Sequence, residues 1–261
     1  MHVLLMRRLL RAAEMQREIG LRSFLSKMLH RLLRASGWIP RDYKTFLKHK
    51  TRVDLLFDTE NGVETSGIDY IYGLTVDGPN ARFGEAHIAS DPSEFRTVFE
   101  SVDVDYRRFT FVDLGSGKGR AVMLAAALPF KAIVGVEFTK ELHAIATANV
   151  GKLPEPDRDR ISLLHGDAAA YDFPTGPLIV FFYNPFGRAI MRQVADRLAC
   201  SRQDSPRDIL VVYLNPIFEE SWVRAGWRVL RSSTEAALFQ WPTSSQAAVV
   251  SHAEPETVLP A

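Results

Sequence analysis

From residue 109 onward, short and almost continuously apolar runs alternate with helical stretches, and few folds accommodate that rhythm. FTFVDL (109–114), AIVGVEF (132–138), ISLLHG (161–166), PLIVFFY (177–183) and DILVVYL (208–214) read as strands. Helical patterns cover 119–128, 139–150, 188–200 and 217–225, and GWRVLRS with AALFQW closes the series as an antiparallel pair. Strands that are apolar on both faces need helices on both sides, which predicts an α/β fold with a doubly wound, mainly parallel sheet. Right-handed crossovers set the carboxyl ends of the parallel strands along one edge, the edge at which such sheets bind ligands.

The rest of the chain divides by charge. The whole sequence carries a net +1, which excludes a uniformly basic nucleic-acid binder. Residues 1–52 nevertheless hold a net +10, so the remainder carries −9. Leu21, Phe24, Leu25, Met28, Leu29, Leu32 and Leu33 recur at helical spacing, with Lys27, His30, Arg31 and Arg34 opposite. The segment 1–52 is therefore read as a basic amphipathic helical extension, with helices over 3–19 and 21–34. It either packs on its own domain or contacts a membrane surface or polyanion. Residues 53–91 read as an irregular linker or lid, 92–242 as the main domain and 243–261 as a disordered tail. No run reaches the ~18 apolar residues of a membrane span, the start is too short for a signal peptide, and Cys200 is the only cysteine. A cytoplasmic protein, with peripheral membrane association as its variant, is the expectation. The seven histidines show no HExxH spacing, and no metal site is expected.

Asp91, Pro92 and Glu94 form the start signal of a helix at N-cap, N1 and N3. The most informative motif is Asp113-Leu114-Gly115-Ser116-Gly117-Lys118-Gly119-Arg120, between the first strand and the first helix. A P-loop would need glycine where Val112 stands and Ser or Thr where Gly119 stands; a dinucleotide GxGxxG would need glycine at Arg120. Asp113 has the wrong sign for a pyrophosphate and the right sign for an ammonium group. Gly115 and Gly117 permit close backbone approach, and the helix start behind them offers N–H groups to a carboxylate. An amino-acid moiety fits that pairing, and S-adenosylmethionine has one without a phosphate. Glu137, ending the second strand, is placed for both ribose hydroxyls, and Asp167 of His165-Gly166-Asp167-Ala168 for the adenine amino group. Lys118 and Arg120 are read as helix-surface residues.

DLGSGKGR, VEF and HGDA resemble the first three motifs of the class I S-adenosylmethionine-dependent methyltransferases, over about residues 92–241. The resemblance implies a seven-stranded sheet in the order 3-2-1-4-5-7-6, with strand seven antiparallel. It implies S-adenosylmethionine as cofactor, with Asp113, Gly115, Ser116, Gly117, Gly119, Glu137, Asp167, Ala168 and Asn184 around it. The DLGSG form is also similar to the non-SET histone-lysine methyltransferases.

Tyr183-Asn184-Pro185-Phe186 ends the fourth strand and resembles the Asn/Asp-Pro-Pro-Tyr/Phe motif of amino-methyltransferases, with one proline instead of two. By that resemblance Asn184 and Pro185 accept hydrogen bonds from a target amine, Phe186 stacks on the substrate, and Tyr183 completes the catalytic group. The expected function is methyl transfer to a nitrogen acceptor: a protein amine or amide, or a small molecule. A nucleic-acid base methyltransferase using the basic arm and a non-catalytic adaptor are the alternatives. Thr65, Ser66, Tyr70, Tyr72, Phe83, Glu85 and His87 are the site candidates of the linker.

Overall fold

The computed structural model describes residues 41–69, 74–75 and 87–241. The expected helices over 3–19 and 21–34, the tail, and Tyr70, Tyr72, Phe83 and Glu85 lie outside the described residues. The chain enters through α1 (Arg41–Asn61), followed by two short strands, β1 (Ile68–Asp69) and β2 (His87–Ile88), which pair antiparallel. After α2 (Pro92–Glu100) come β3 (Thr110–Leu114), α3 (Arg120–Ala126), β4 (Ala132–Glu137) and α4 (Lys140–Val150). A single helical turn, α5 (Glu155–Arg158), precedes β5 (Ile161–His165) and β6 (Leu178–Tyr183). Helix α6 (Arg188–Asp204), β7 (Ile209–Leu214), α7 (Glu219–Arg224), β8 (Arg228–Ser232) and β9 (Ala236–Gln240) complete the order.

The large sheet has seven strands in the order β5-β4-β3-β6-β7-β9-β8. Counted from β3, this is 3-2-1-4-5-7-6, as expected. Strands β3 to β7 pair in parallel, and β9 pairs antiparallel with both β7 and β8. Its two faces bury separate apolar sets, because successive side chains of a strand point to opposite sides. Val112, Val180, Phe182 and Val211 face one set with Ile190, Val194 and Trp222. Phe111, Ile179, Phe181 and Val212 face the other with Phe95, Phe99 and Phe130. Helix α2 starts as the sequence predicts: the Asp91 side chain accepts from the amides of Ser93 and Glu94, and Pro92 is its first residue.

The structure corrects two expectations. The sequence pattern starts the linker at residue 53, yet α1 runs unbroken to Asn61 and ends at Gly62, whose φ of +64° stops a helix. Lys118 and Arg120 are not surface residues: they are 5% and 1% exposed. The Arg120 guanidinium is the hub of the region. Its Nε donates to Thr65 Oγ1 at 2.6 Å, and its two terminal nitrogens reach the carboxylates of Asp54 and Asp58 and the carbonyls of Ser90 and Asp54. The Phe57 ring lies 4.8 Å from the guanidinium carbon. Beside it, Lys118 Nζ donates to the Ser66 carbonyl at 2.9 Å and pairs with Asp69 at 3.0 Å. Asn149 of α4 bonds the carbonyls of Glu64 and Lys118. Helix α1 and residues 63–69 are therefore part of the domain.

Removing one partner from a buried ion network leaves charges without solvent or counterion. Arg120→Met is expected to destabilise the fold by about 3–5 kcal/mol, read as a shift in the urea midpoint. Arg107→Ala, which removes an exposed pair with Asp105, should leave that midpoint unchanged.

Candidate active site

A cleft opens at the carboxyl ends of β3, β4 and β6, where the strand order reverses direction between β3 and β6. Asp113, Gly115, Ser116, Gly117 and Glu137 line it together with Tyr183, Pro185 and Phe186. Linker residues His87 and Ser90 close one side, and Phe138, Thr139 and Leu142 another. Motifs far apart in sequence thus meet in one cavity.

The glycine loop is tied down tightly. The amides of Gly115 and Ser116 both donate to the Val136 carbonyl, at 2.9 and 3.0 Å, and the Gly117 amide donates to Glu137 Oε2 at 2.8 Å. These three N–H groups are engaged within the protein and are closed to a ligand carboxylate. Gly115 has φ +88°, and a Cβ there would collide with the Pro185 ring. Gly117 has φ +53°, and a Cβ there would collide with the His87 ring. Gly119 does something else. It caps α3 at φ +86°, and its missing side chain admits the Ala146 Cβ of α4 at 3.2 Å from where a Cβ would stand. It is a packing glycine and does not line the cleft.

Both cleft carboxyls are buried, each 3% exposed. Burial, then the nearby Glu137 charge, pushes Asp113 well above the usual carboxylate range. Burial also raises Glu137, although bonds from the Thr139 amide and hydroxyl and the Gly117 amide oppose it. Those donors, with a further bond from the Phe138 main chain, engage the carboxylate within the fold and leave it less room than the two ribose hydroxyls the sequence assigns to it. Asp167 stands apart: its side chain accepts from the Ala169 amide at 2.8 Å and starts the turn 168–170, and neither it nor Ala168 lines the cleft.

The fourth-strand motif divides its roles differently from the sequence expectation. Asn184 is held at φ +45°, and its Oδ1 accepts from the Tyr213 hydroxyl at 3.0 Å. It stands behind Pro185 and does not line the cleft. Phe186 does line it, but at 5% exposure the ring belongs to the core, edge-on to Phe182 with centroids 6.2 Å apart. The open aromatic is Tyr183. Burial, then the carboxylates of Glu94, Asp91 and Asp54, pushes its phenol upward, so it stays neutral. Of the linker candidates, His87 lines the cleft, while Thr65 and Ser66 serve the Arg120 and Lys118 networks. Sequence reasoning missed Tyr213, a strand residue that looks purely structural, and Ser90 and Thr139, polar residues with no motif of their own.

No family model matches the sequence, and no curated protein matches it. Comparison of the fold with solved structures returns methyltransferases at low identity. The glycopeptide N-methyltransferase MtfA complexed with S-adenosylmethionine is 15% identical over 60% of this chain and 89% of its own, with a TM-score of 0.46. A predicted N6-adenine-specific DNA methylase from Listeria monocytogenes is 14% identical over 59% of this chain and 51% of its own, with a TM-score of 0.46. A methyltransferase from Geobacter sulfurreducens in complex with S-adenosylhomocysteine is 18% identical over 54% of this chain and 65% of its own, with a TM-score of 0.41. The strand order, the cleft at the switch point and the DLGSGKGR loop together give this chain the fold of the class I S-adenosylmethionine-dependent methyltransferases.

Proposed function

We propose that the protein is an S-adenosylmethionine-dependent methyltransferase acting on a nitrogen acceptor, an amine of a protein or small molecule. The observation that carries this reading is the meeting of Asp113, Glu137, the glycine loop and the Pro185 loop in one cleft at the switch point. When bound, S-adenosylmethionine supplies a methyl group already activated by its positive sulfur. The chain's own part is to bind the cofactor, keep water out and align the acceptor. Asp113 faces the ammonium of the amino-acid end and Glu137 a ribose hydroxyl. Ser116, whose buried hydroxyl has no partner among the described residues, belongs to the same cleft.

On the acceptor side, Pro185 lies directly on Gly115, and its carbonyl is one candidate acceptor for an amine N–H. Asn184 is locked by Tyr213 and sets the position of that loop. An amine lone pair attacks the methyl carbon as the carbon–sulfur bond breaks; an ammonium must first lose a proton. The Phe186 ring is committed to the core, so Tyr183 is the aromatic that faces an acceptor. The carboxylates of Glu94, Asp91 and Asp54 act on Tyr183 and favour a positively charged acceptor, such as an aliphatic amine.

Calorimetry with purified protein is expected to show binding of S-adenosylmethionine and S-adenosylhomocysteine. Absence of both interactions overturns the reading. Asp113 stands above the usual carboxylate range in the free protein, and a bound cation lowers it. Binding therefore expels a proton below that raised value. Affinity for S-adenosylmethionine should rise with pH from the usual carboxylate range up to the free-state value and then level off. Titrations in buffers of different ionisation enthalpy would detect the released proton, and Asp113→Asn should bind weakly without that release. Asn184→Ala should keep cofactor affinity while methyl transfer from tritiated cofactor to fractionated lysate falls by about 10²-fold, the cost of a displaced acceptor loop.

A further inference from the structure

His87 lies outside the three strand-end motifs, yet it lines the cleft. Strand β2 holds it opposite Asp69 of β1, and its ring rests on Gly117 at the place where a Cβ would project. The ring bonds the Thr65 main chain. Its Nε2 is shut off from solvent and has no partner among the described residues. The bond to Thr65 is therefore made by Nδ1. The Thr65 amide is itself a donor to Asp58, so the group bonded to His87 is the Thr65 carbonyl and Nδ1 carries the hydrogen. In a neutral imidazole that tautomer leaves a lone pair on Nε2. Burial, and then the Lys118 ammonium, holds the ring neutral, with its pKa down to about 4. A buried acceptor with no donor calls for one from a ligand.

An adenosyl amino acid offers donors of three kinds: the adenine amino group, the ribose hydroxyls and the α-ammonium. Glu137 already serves the ribose end from the tip of β4. The ammonium has three hydrogens to place and, in the reading above, faces Asp113 alone. We infer that His87 Nε2 accepts a hydrogen bond from the α-ammonium of the bound ligand, so that β2 and β3 grip the amino-acid end from two sides. This inference rests on the proposed cofactor. It adds to the glycine loop a contact from the segment before the catalytic domain, and it gives the β1–β2 pair a binding role.

Two ligands separate the donors. S-adenosylhomocysteine carries the ammonium and ribose, whereas 5′-methylthioadenosine carries the ribose without the amino acid. Calorimetry on the full chain should show His87→Leu weakening S-adenosylhomocysteine by about tenfold or more, the loss of one charge-assisted bond. Affinity for 5′-methylthioadenosine should be unchanged. His87→Gln, which offers a carbonyl oxygen at similar reach, should recover most of the loss. Equal weakening of both ligands would assign Nε2 to the ribose and overturn the inference, as would no weakening of either. Melting curves without ligand check that each variant is folded. If His87→Leu is not, His87→Met carries the same comparison. A wild-type protein that binds neither ligand refutes the cofactor itself, an outcome distinct from a wild type that binds while its variants lose nothing.

Discussion

The Arg120 guanidinium is the interaction on which the rest of the molecule turns. It is the first residue of α3, directly after the glycine loop, and it sits at 1% exposure among groups drawn from α1, the Thr65 segment and the strand before α2. A guanidinium has five N–H donors in a rigid fork, and here each nitrogen has partners. A lysine would offer three donors on a mobile stem and could not span Asp54, Asp58, Thr65 and Ser90 together. Burying such a network carries a desolvation cost, so it is poor evidence for extra stability. Its value is positional. It fixes the end of the cofactor loop against the segment that forms the opposite wall, and it does so with directional bonds that an apolar contact cannot supply.

That wall explains the electrostatic character of the cleft. Asp113 and Glu137 share a low-dielectric cavity, and burial opposes ionisation of both. On the other side, Lys118 is committed to Asp69 and Ser66, and Arg120 to its own carboxylates. The nearby cations are thus already neutralised by the fold. A ligand that brings its own positive charge gains most from such a cavity, because a cation near buried carboxyls interacts with little screening. Anionic ligands meet the opposite situation, because the amides of Gly115, Ser116 and Gly117 are engaged within the protein.

The sheet was legible because its signal is redundant. Strands β3, β4, β6 and β7 are apolar on both faces and helical patterns separate most of them, and the positions of Asp113 and Glu137 at successive strand ends follow directly. Helix α1 was illegible over 53–61 for a physical reason. Its inward face carries Asp54 and Asp58, while Leu55 and Leu56 are 54% and 56% exposed. A rule that places apolar residues inside reads that pattern as no helix at all, since the inward carboxylates depend on partners such as the distant Arg120 and the Thr65–Ser66 segment. Arg120 was misread in the same way, since a charged residue opening a helix ordinarily faces solvent. Gly119 shows a subtler limit. Three glycines in one loop look like one function, but only the first two face the cleft, and the third exists so that α3 and α4 can approach.

The single proline at 185 follows from how the strand ends fit together. The ring of Pro185 fills the space left by the missing side chain of Gly115, so the β3 and β6 loops are packed as one unit. Tyr213 of β7, itself fully buried, holds Asn184 in a left-handed conformation through its hydroxyl. Three adjacent strands therefore determine where the Pro185 carbonyl points. The residue after Pro185 does not need the rigidity of a second proline, because Phe186 is anchored in the core beside Phe182 instead. The consequence is a rigid edge beside Gly115 at which the Phe186 ring is closed off in the core and Tyr183 is the aromatic left open to the cleft.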